Sequence, residues 1–113
     1  MNHSVSITVP STVGVNQPAP AELVAEYIEK AMRLLAVCFG GFTALPGKGG
    51  YMSDNFGLVV ENVMVVSAHF DEESAGKVSQ VRALAAEIAE GMSQECVAVT
   101  VDGRMELIAK RAA

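Results

Sequence analysis

The hydrophobic pattern of the chain switches four times between period two and helical spacing, and each switch marks a change of element. From Ser4 to Val9 it alternates strictly, with Val5, Ile7 and Val9 on one side and Ser4, Ser6 and Thr8 on the other, which predicts a half-buried strand. Residues 10–20 contain Pro10, Pro18, Pro20, Gly14 and Asn16, and read as a loop. Pro20 suits a helix start, and Val24, Tyr27, Ile28, Ala31, Leu34, Leu35 and Cys38 recur at helical spacing. This helix is expected to run to about Val37 and to stop at Gly40-Gly41. A strand over Phe42–Leu45, a break at Pro46-Gly47 and a resumption over Gly50–Met52 follow. Asp54-Asn55-Phe56-Gly57 carries turn chemistry and leads into the longest strand, Leu58–Phe70. Asp71-Glu72-Glu73-Ser74 offers cap residues and a negative first turn to a second helix, with Val78, Val81, Leu84, Ala85, Ile88 and Met92 as its apolar stripe. Gly91 weakens the last turn of that helix. Cys96–Val101, the Asp102-Gly103 turn and Arg104–Ile108 predict a closing hairpin. Residues 1–3, His3 among them, and 109–113 are expected to fray.

The order β-α-β-β-α-β plus a terminal strand predicts one α+β domain over residues 1–113. Its expected fold is ferredoxin-like, an antiparallel sheet with two helices on one face. Two helices cover one side of such a sheet only. Yet the long strand is apolar on both sides through its middle, with Val63 and Val65 on one face and Met64 and Val66 on the other. Val97 and Val99 add apolar area on a neighbouring strand. An uncovered apolar face marks an interface, so Val63, Val65, Val97 and Val99 are expected in a homodimer contact unless the 10–20 loop folds over them.

Composition narrows the function classes. Half of the 113 residues are apolar, enough for a core without metal or disulfide support. Cys38 and Cys96 belong to no Cys-x-x-Cys pair or Cys/His cluster, so no metal site is expected and both read as buried free thiols of a reducing cytoplasm. The N-terminus has no basic segment followed by an apolar run, and no run approaches the length of a membrane span. The net charge of −5, with basic residues scattered, argues against direct nucleic-acid binding. Glu22, Glu26 and Glu29 share one side of the first helix, which suits a solvated face near its positive end.

The candidate chemistry gathers around the first hairpin. Gly47-Lys48-Gly49-Gly50 has the composition of a backbone nest for an anion, with Lys48 adding charge, or of a bulged hairpin segment. It is not a phosphate-binding loop, because no Ser or Thr follows the lysine and no helix follows the loop. Glu61 is the sole charge in the long strand, suited to a general base or a metal ligand, or to a cross-strand hydrogen bond with a residue such as Thr43. A ligand site in this region would draw on Thr43, Lys48, Gly49, Tyr51 and Glu61. Ser67, His69 and Asp71 form a triad only on paper, with no nucleophile-elbow context. No catalytic residue and no cofactor is assigned on these grounds. The six methionines read as adaptable core or interface filler.

Over residues 20–108 the chain resembles a family of small uncharacterised domains of bacteria, phages and mobile elements. The resemblance rests on Phe39-Gly40-Gly41-Phe42-Thr43, Gly49-Gly50-Tyr51, Gly57-Leu58-Val59-Val60-Glu61 and Gln94-Glu95-Cys96-Val97 leading into Val101-Asp102-Gly103. It implies a ferredoxin-like fold and a phage or plasmid setting, and it carries no catalytic mechanism. The first functional expectation is therefore a non-enzymatic homodimer that binds another protein, such as an anti-defence factor of the CRISPR-inhibitor kind. The alternative is a small-ligand or nucleotide-binding domain built on the glycine-rich hairpin around Lys48.

Overall fold

The computed structural model describes residues 1–111. Its elements are β1 His3–Pro10, β2 Thr12–Val13, β3 Gln17–Pro18, α1 Ala21–Phe39, β4 Thr43–Ser53, β5 Gly57–Phe70, α2 Val78–Gly91, β6 Cys96–Val101 and β7 Arg104–Ala109. A 3-10 segment, Glu72–Lys77, precedes α2. Five strands form one antiparallel sheet in the order β4-β5-β1-β6-β7, and β2-β3 form a small second hairpin. Without β7, this is the split β-α-β arrangement of a ferredoxin-like fold.

The alternation in β1 places Val5, Ile7 and Val9 in the core, all at or below 1% exposure. They pack with Val66, Ala68 and Phe70 of β5 and with Ala31, Leu35, Val81, Ala85 and Ile88 of the helices. Gly40 ends α1 in the left-handed conformation (φ 89°), donating its N–H to Ala36. Asp102 and Gly103 both have positive φ, 50° and 83°, the backbone of the tight turn their residue types signal.

Several expectations need correction. β4 does not break at Pro46-Gly47: it runs unbroken and pairs with β5 from Thr43↔Ser67 to Ser53↔Gly57. Pro46 is accommodated because β4 is the edge strand, where a missing N–H leaves no central ladder gap. Gly47, Gly49 and Gly50 are strand residues without positive φ, so no anion nest forms around Lys48. α1 continues to Phe39. His3 does not fray: it pairs opposite Phe70 and stacks on its ring at 5.3 Å. Ala109 belongs to β7, while Ala112 and Ala113 lie outside the described residues.

Val97 and Val99 do not belong to the uncovered face. They point into the helix-side core at 4% and 0% exposure, because β6 pairs with β1 in the register Val5↔Val101 and Ile7↔Val99. The open face instead carries Cys96 and Ala98 from β6, Met105 and Leu107 from β7, Ser6 and Thr8 from β1, Val63 and Val65 from β5, and Leu45 from β4. Leu45, Met105 and Leu107 are each more than 60% exposed. The 10–20 segment does not seal this face. It folds at one end of the sheet, tied to α2 by Gly14 N–H donating to Met92 O (3.1 Å). The open face is thus two apolar flanks around a central column of hydroxyls.

β1 pairs with β5 only from Val63 to Phe70. The outer part of the β4–β5 hairpin, about six residues on each strand, therefore projects as a two-stranded arm roughly 20 Å long. Tyr51, Met52, Phe56, Leu58 and Val60 on this arm are all exposed.

Candidate functional site

The site sits where the arm leaves the sheet. Register places Gly49 opposite Glu61 and Tyr51 opposite Val59 on the open-face side. A hollow of about 170 Å³ is lined there by Gly49, Gly50, Tyr51, Val59, Glu61 and Val63. Thr8, Pro10, Gln94, Cys96, Val97, Ala98 and Leu107 complete it. Gly50 is dictated by close approach: a Cβ on it would lie 2.7 Å from the Val59 carbonyl oxygen, backbone that cannot move aside without breaking the pair. A second hollow, about 440 Å³, adjoins the first, with Ser11, Thr12, Lys48, Glu61 and Asn62 among its walls. Glu61 is common to both.

Glu61 is held from one side. Thr12 Oγ1 donates to Glu61 Oε2 at 2.7 Å, and Ser11 N–H donates to the same oxygen at 3.1 Å. No donor among the described residues reaches Oε1 with hydrogen-bond geometry. The Ser11 hydroxyl donates to Asn62 O at 2.6 Å, which fastens the start of the β2–β3 hairpin to β5. Lys48 Nζ donates to Asn62 Oδ1 at 2.8 Å, so this ammonium is engaged beside the carboxylate and forms no ion pair with it. Such an arrangement offers an anionic oxygen beside an aromatic ring and a partly apolar floor. It suits a ligand that combines a cation or hydroxyl donor with a flat ring.

Of the residues expected from sequence, the structure brings together Gly49, Tyr51 and Glu61, with Lys48 on the adjoining wall. Thr43 is separated from them. It lies opposite Ser67, six residues and about 20 Å along β4 from Gly49, beside a different hollow with Phe39 and His69. The expected Glu61–Thr43 bond therefore does not exist. Ser11, Thr12 and Gln94 were not among the expected residues. The partners of Thr12 lie 49 and 82 positions away, and no local pattern announces contacts of that separation. Cys38 is buried and Cys96 half-buried, both free; Cys96 borders the smaller hollow.

A second polar cluster lies at the other end of β1. His3 Nδ1 is 2.9 Å from Asp102 Oδ2, and Nε2 is 2.6 Å from Glu72 Oε2. Ser4 N–H donates to Asp102 Oδ1 at 2.9 Å. Two carboxylates on the two ring nitrogens favour the doubly protonated imidazole. The hydrogen bond to Asp102 and then that to Glu72 raise the His3 pKa.

No family model and no curated protein matches the chain. Among solved structures, a phage SAM lyase in complex with S-methyl-5'-thioadenosine superposes with a TM-score of 0.64 at 22% identity, covering 95% of this chain and 88% of that one. The apo form of a phage SAM lyase gives a TM-score of 0.66 at 20% identity, covering 99% and 92%. The periplasmic divalent cation tolerance protein CutA from Archaeoglobus fulgidus gives 0.47 at 14%, covering 100% and 87%. The lyase likeness establishes the fold: this chain is a small ferredoxin-like domain of a kind also found in phage. No described helix is long and apolar enough to cross a membrane.

Proposed function

We propose that the chain binds an adenosine-containing sulfonium or thioether at the Glu61 hollow, with S-adenosylmethionine as the first candidate. The observation that carries this is the one-sided anchoring of Glu61 beside Tyr51 at the root of the arm. A carboxylate with one uncommitted oxygen attracts a sulfonium cation, and the net charge of −5 does not oppose it. Tyr51, about half exposed, offers a face on which adenine can stack. The likeness to a lyase that acts on S-adenosylmethionine supports the ligand class. This is the small-ligand alternative of the sequence reading, moved from Lys48 to Glu61.

Isothermal titration with S-adenosylmethionine and S-methyl-5'-thioadenosine tests it, with chromatography of the same mixtures for thioether release. Binding of both is expected. Glu61→Gln is expected to weaken the cation at least about ten-fold and the neutral thioether much less. Absence of binding by either compound would overturn the reading, and binding without thioether release would make the protein a carrier or sensor rather than an enzyme.

A second reading, protein association, is favoured by the arm. A two-stranded ribbon with exposed Tyr51, Met52, Phe56, Leu58 and Val60 is marginal alone and gains by packing on another chain. The smaller hollow, at about 170 Å³, is below the usual size of a ligand site and open on the uncovered face. A second copy placed there would deepen it, so self-association and ligand binding are compatible. An anti-defence role through a host protein would use the same arm as its docking element.

A further inference from the structure

The link between α2 and β6 puts one side chain in an unusual position. Ser93 takes a positive φ of 51°, and Gln94 N–H donates to Ala89 O at 2.8 Å, which turns the Gln94 side chain toward the 10–20 segment. Its Nε2 lies 2.8 Å from Thr12 O, 3.0 Å from Gly14 O and 3.1 Å from Thr12 Oγ1. Two carbonyl oxygens face this amide, so its NH2 group, and not its oxygen, must point at them. The NH2 group has two protons for three oxygens, so its longer approach to Thr12 Oγ1 shares a proton with a carbonyl, and the Thr12 hydroxyl's own proton is free for an acceptor. Glu61 Oε2 at 2.7 Å is charged and close, while the alternative, Gly14 O, is 3.5 Å away.

We propose that Gln94 is a positioning residue that acts through Thr12 on the Glu61 carboxylate, holding Oε2 so that Oε1 is left for the ligand. The inference deepens the ligand-site reading of Glu61 and rests on it for its functional consequence. Gln94 borders the hollow but makes no hydrogen bond to the carboxylate; its amide donors are engaged by Thr12 and Gly14. Through the Thr12 and Gly14 carbonyls it sets the position of the segment that carries the Thr12 hydroxyl. It also joins the C-terminal end of α2 to the site, since Gly14 N–H donates to Met92 O in the same segment.

The test has a ligand-free arm and a ligand arm. In the free protein, the Ser11 amide reports whether the carboxylate stays on its donors, because its N–H donates to Glu61 Oε2. Its proton shift and exchange rate are measured in wild type, Gln94→Ala, Thr12→Val, Thr12→Ser and Glu61→Gln. In Gln94→Ala and Thr12→Val the Ser11 signal is expected to move toward its position in Glu61→Gln, while Thr12→Ser, which keeps the hydroxyl, stays near wild type. Amides of Ile7 and Val66 are expected not to move, which separates this effect from general loosening. In the ligand arm, Gln94→Ala and Thr12→Val each weaken S-adenosylmethionine about ten-fold, Thr12→Ser restores it, and neither adds to the loss in a Glu61→Gln background. An unmoved Ser11 amide in both Gln94→Ala and Thr12→Val overturns the positioning role. If wild type binds no S-adenosylmethionine, the ligand reading falls while the amide arm still decides what Gln94 does.

Discussion

Gly91 occupies the last position of α2 for a reason that lies in α1. A Cβ built there would lie 1.8 Å from Tyr27 Oη, 2.8 Å from its Cζ and 3.3 Å from its Cε2. An ordinary non-bonded contact is about 3.5 Å or more, so the tip of Tyr27 would have to retreat by roughly 1.7 Å. The ring would have to follow, and Tyr27 is only 8% exposed, packed in the core. Forced displacement of a packed side chain costs about 1–3 kcal/mol, and this overlap belongs at the upper end. Against it stands the helix propensity of alanine over glycine, about 1 kcal/mol. Gly91→Ala is therefore expected to destabilise the protein by about 1–2 kcal/mol. In thermal unfolding followed by circular dichroism at fixed protein concentration, that corresponds to a midpoint lower by about 5–10 °C. In a Tyr27→Leu background the obstruction is gone, and the same substitution is expected to stabilise by up to about 1 kcal/mol. A rise in the midpoint on making Gly91→Ala in the otherwise wild-type chain would refute the packing argument, since propensity would then be the only force acting.

Three further outcomes follow from named contacts. The His3 pKa is raised by Asp102 and Glu72, so its share of stability is full below the ordinary imidazole value of about 6.5 and is lost as pH rises through the folded value. Asp102 is held low by the Ser4 N–H and then by His3, so its share is present above the ordinary carboxyl value of about 3.9 and is lost as pH falls through the folded one. Denaturant midpoints measured across pH are expected to show both limbs, and His3→Gln should flatten the alkaline one; an unchanged alkaline limb would refute the clamp. Gly50→Ala should loosen the arm, because its Cβ would meet the Val59 carbonyl at 2.7 Å; hydrogen exchange should rise at arm amides and not in β1, and uniform protection would count against it. Leu58→Lys with Met52→Lys should lower any self-association seen by analytical ultracentrifugation by ten-fold or more, since full burial of each side chain is worth about 1.5–3 kcal/mol; an unchanged association constant would remove the arm from the interface.

Much of the fold was legible in the chain because its determinants are local. The strict alternation of β1, the helical spacing from Val24 to Cys38 and the Asp102-Gly103 turn each state a backbone geometry within a few residues, and their order implies the sheet. The candidate site was half legible. Gly49, Tyr51 and Glu61 share a register that period-two counting can recover, whereas Thr43 shares their face but sits about 20 Å away, a distance that composition does not show. Pro46 looked like a strand break because a proline cannot serve a central ladder; only the sheet order, with β4 at its edge, makes it harmless.

Sequence alone therefore determined the two helices, the main strands, the two-layer architecture and an uncovered sheet face, all consequences of hydrophobic period, but not the β2–β3 hairpin within 10–20 or the continuity of β4. Tertiary structure decided which valines face the core, because register between β1 and β6 sends Val97 and Val99 inward. It also decided what holds Glu61, because Thr12 and Gln94 meet only after the sheet has formed. Period is written residue by residue, but register and long-range hydrogen bonds depend on which strand becomes whose neighbour, and that is settled by the packing of the whole chain.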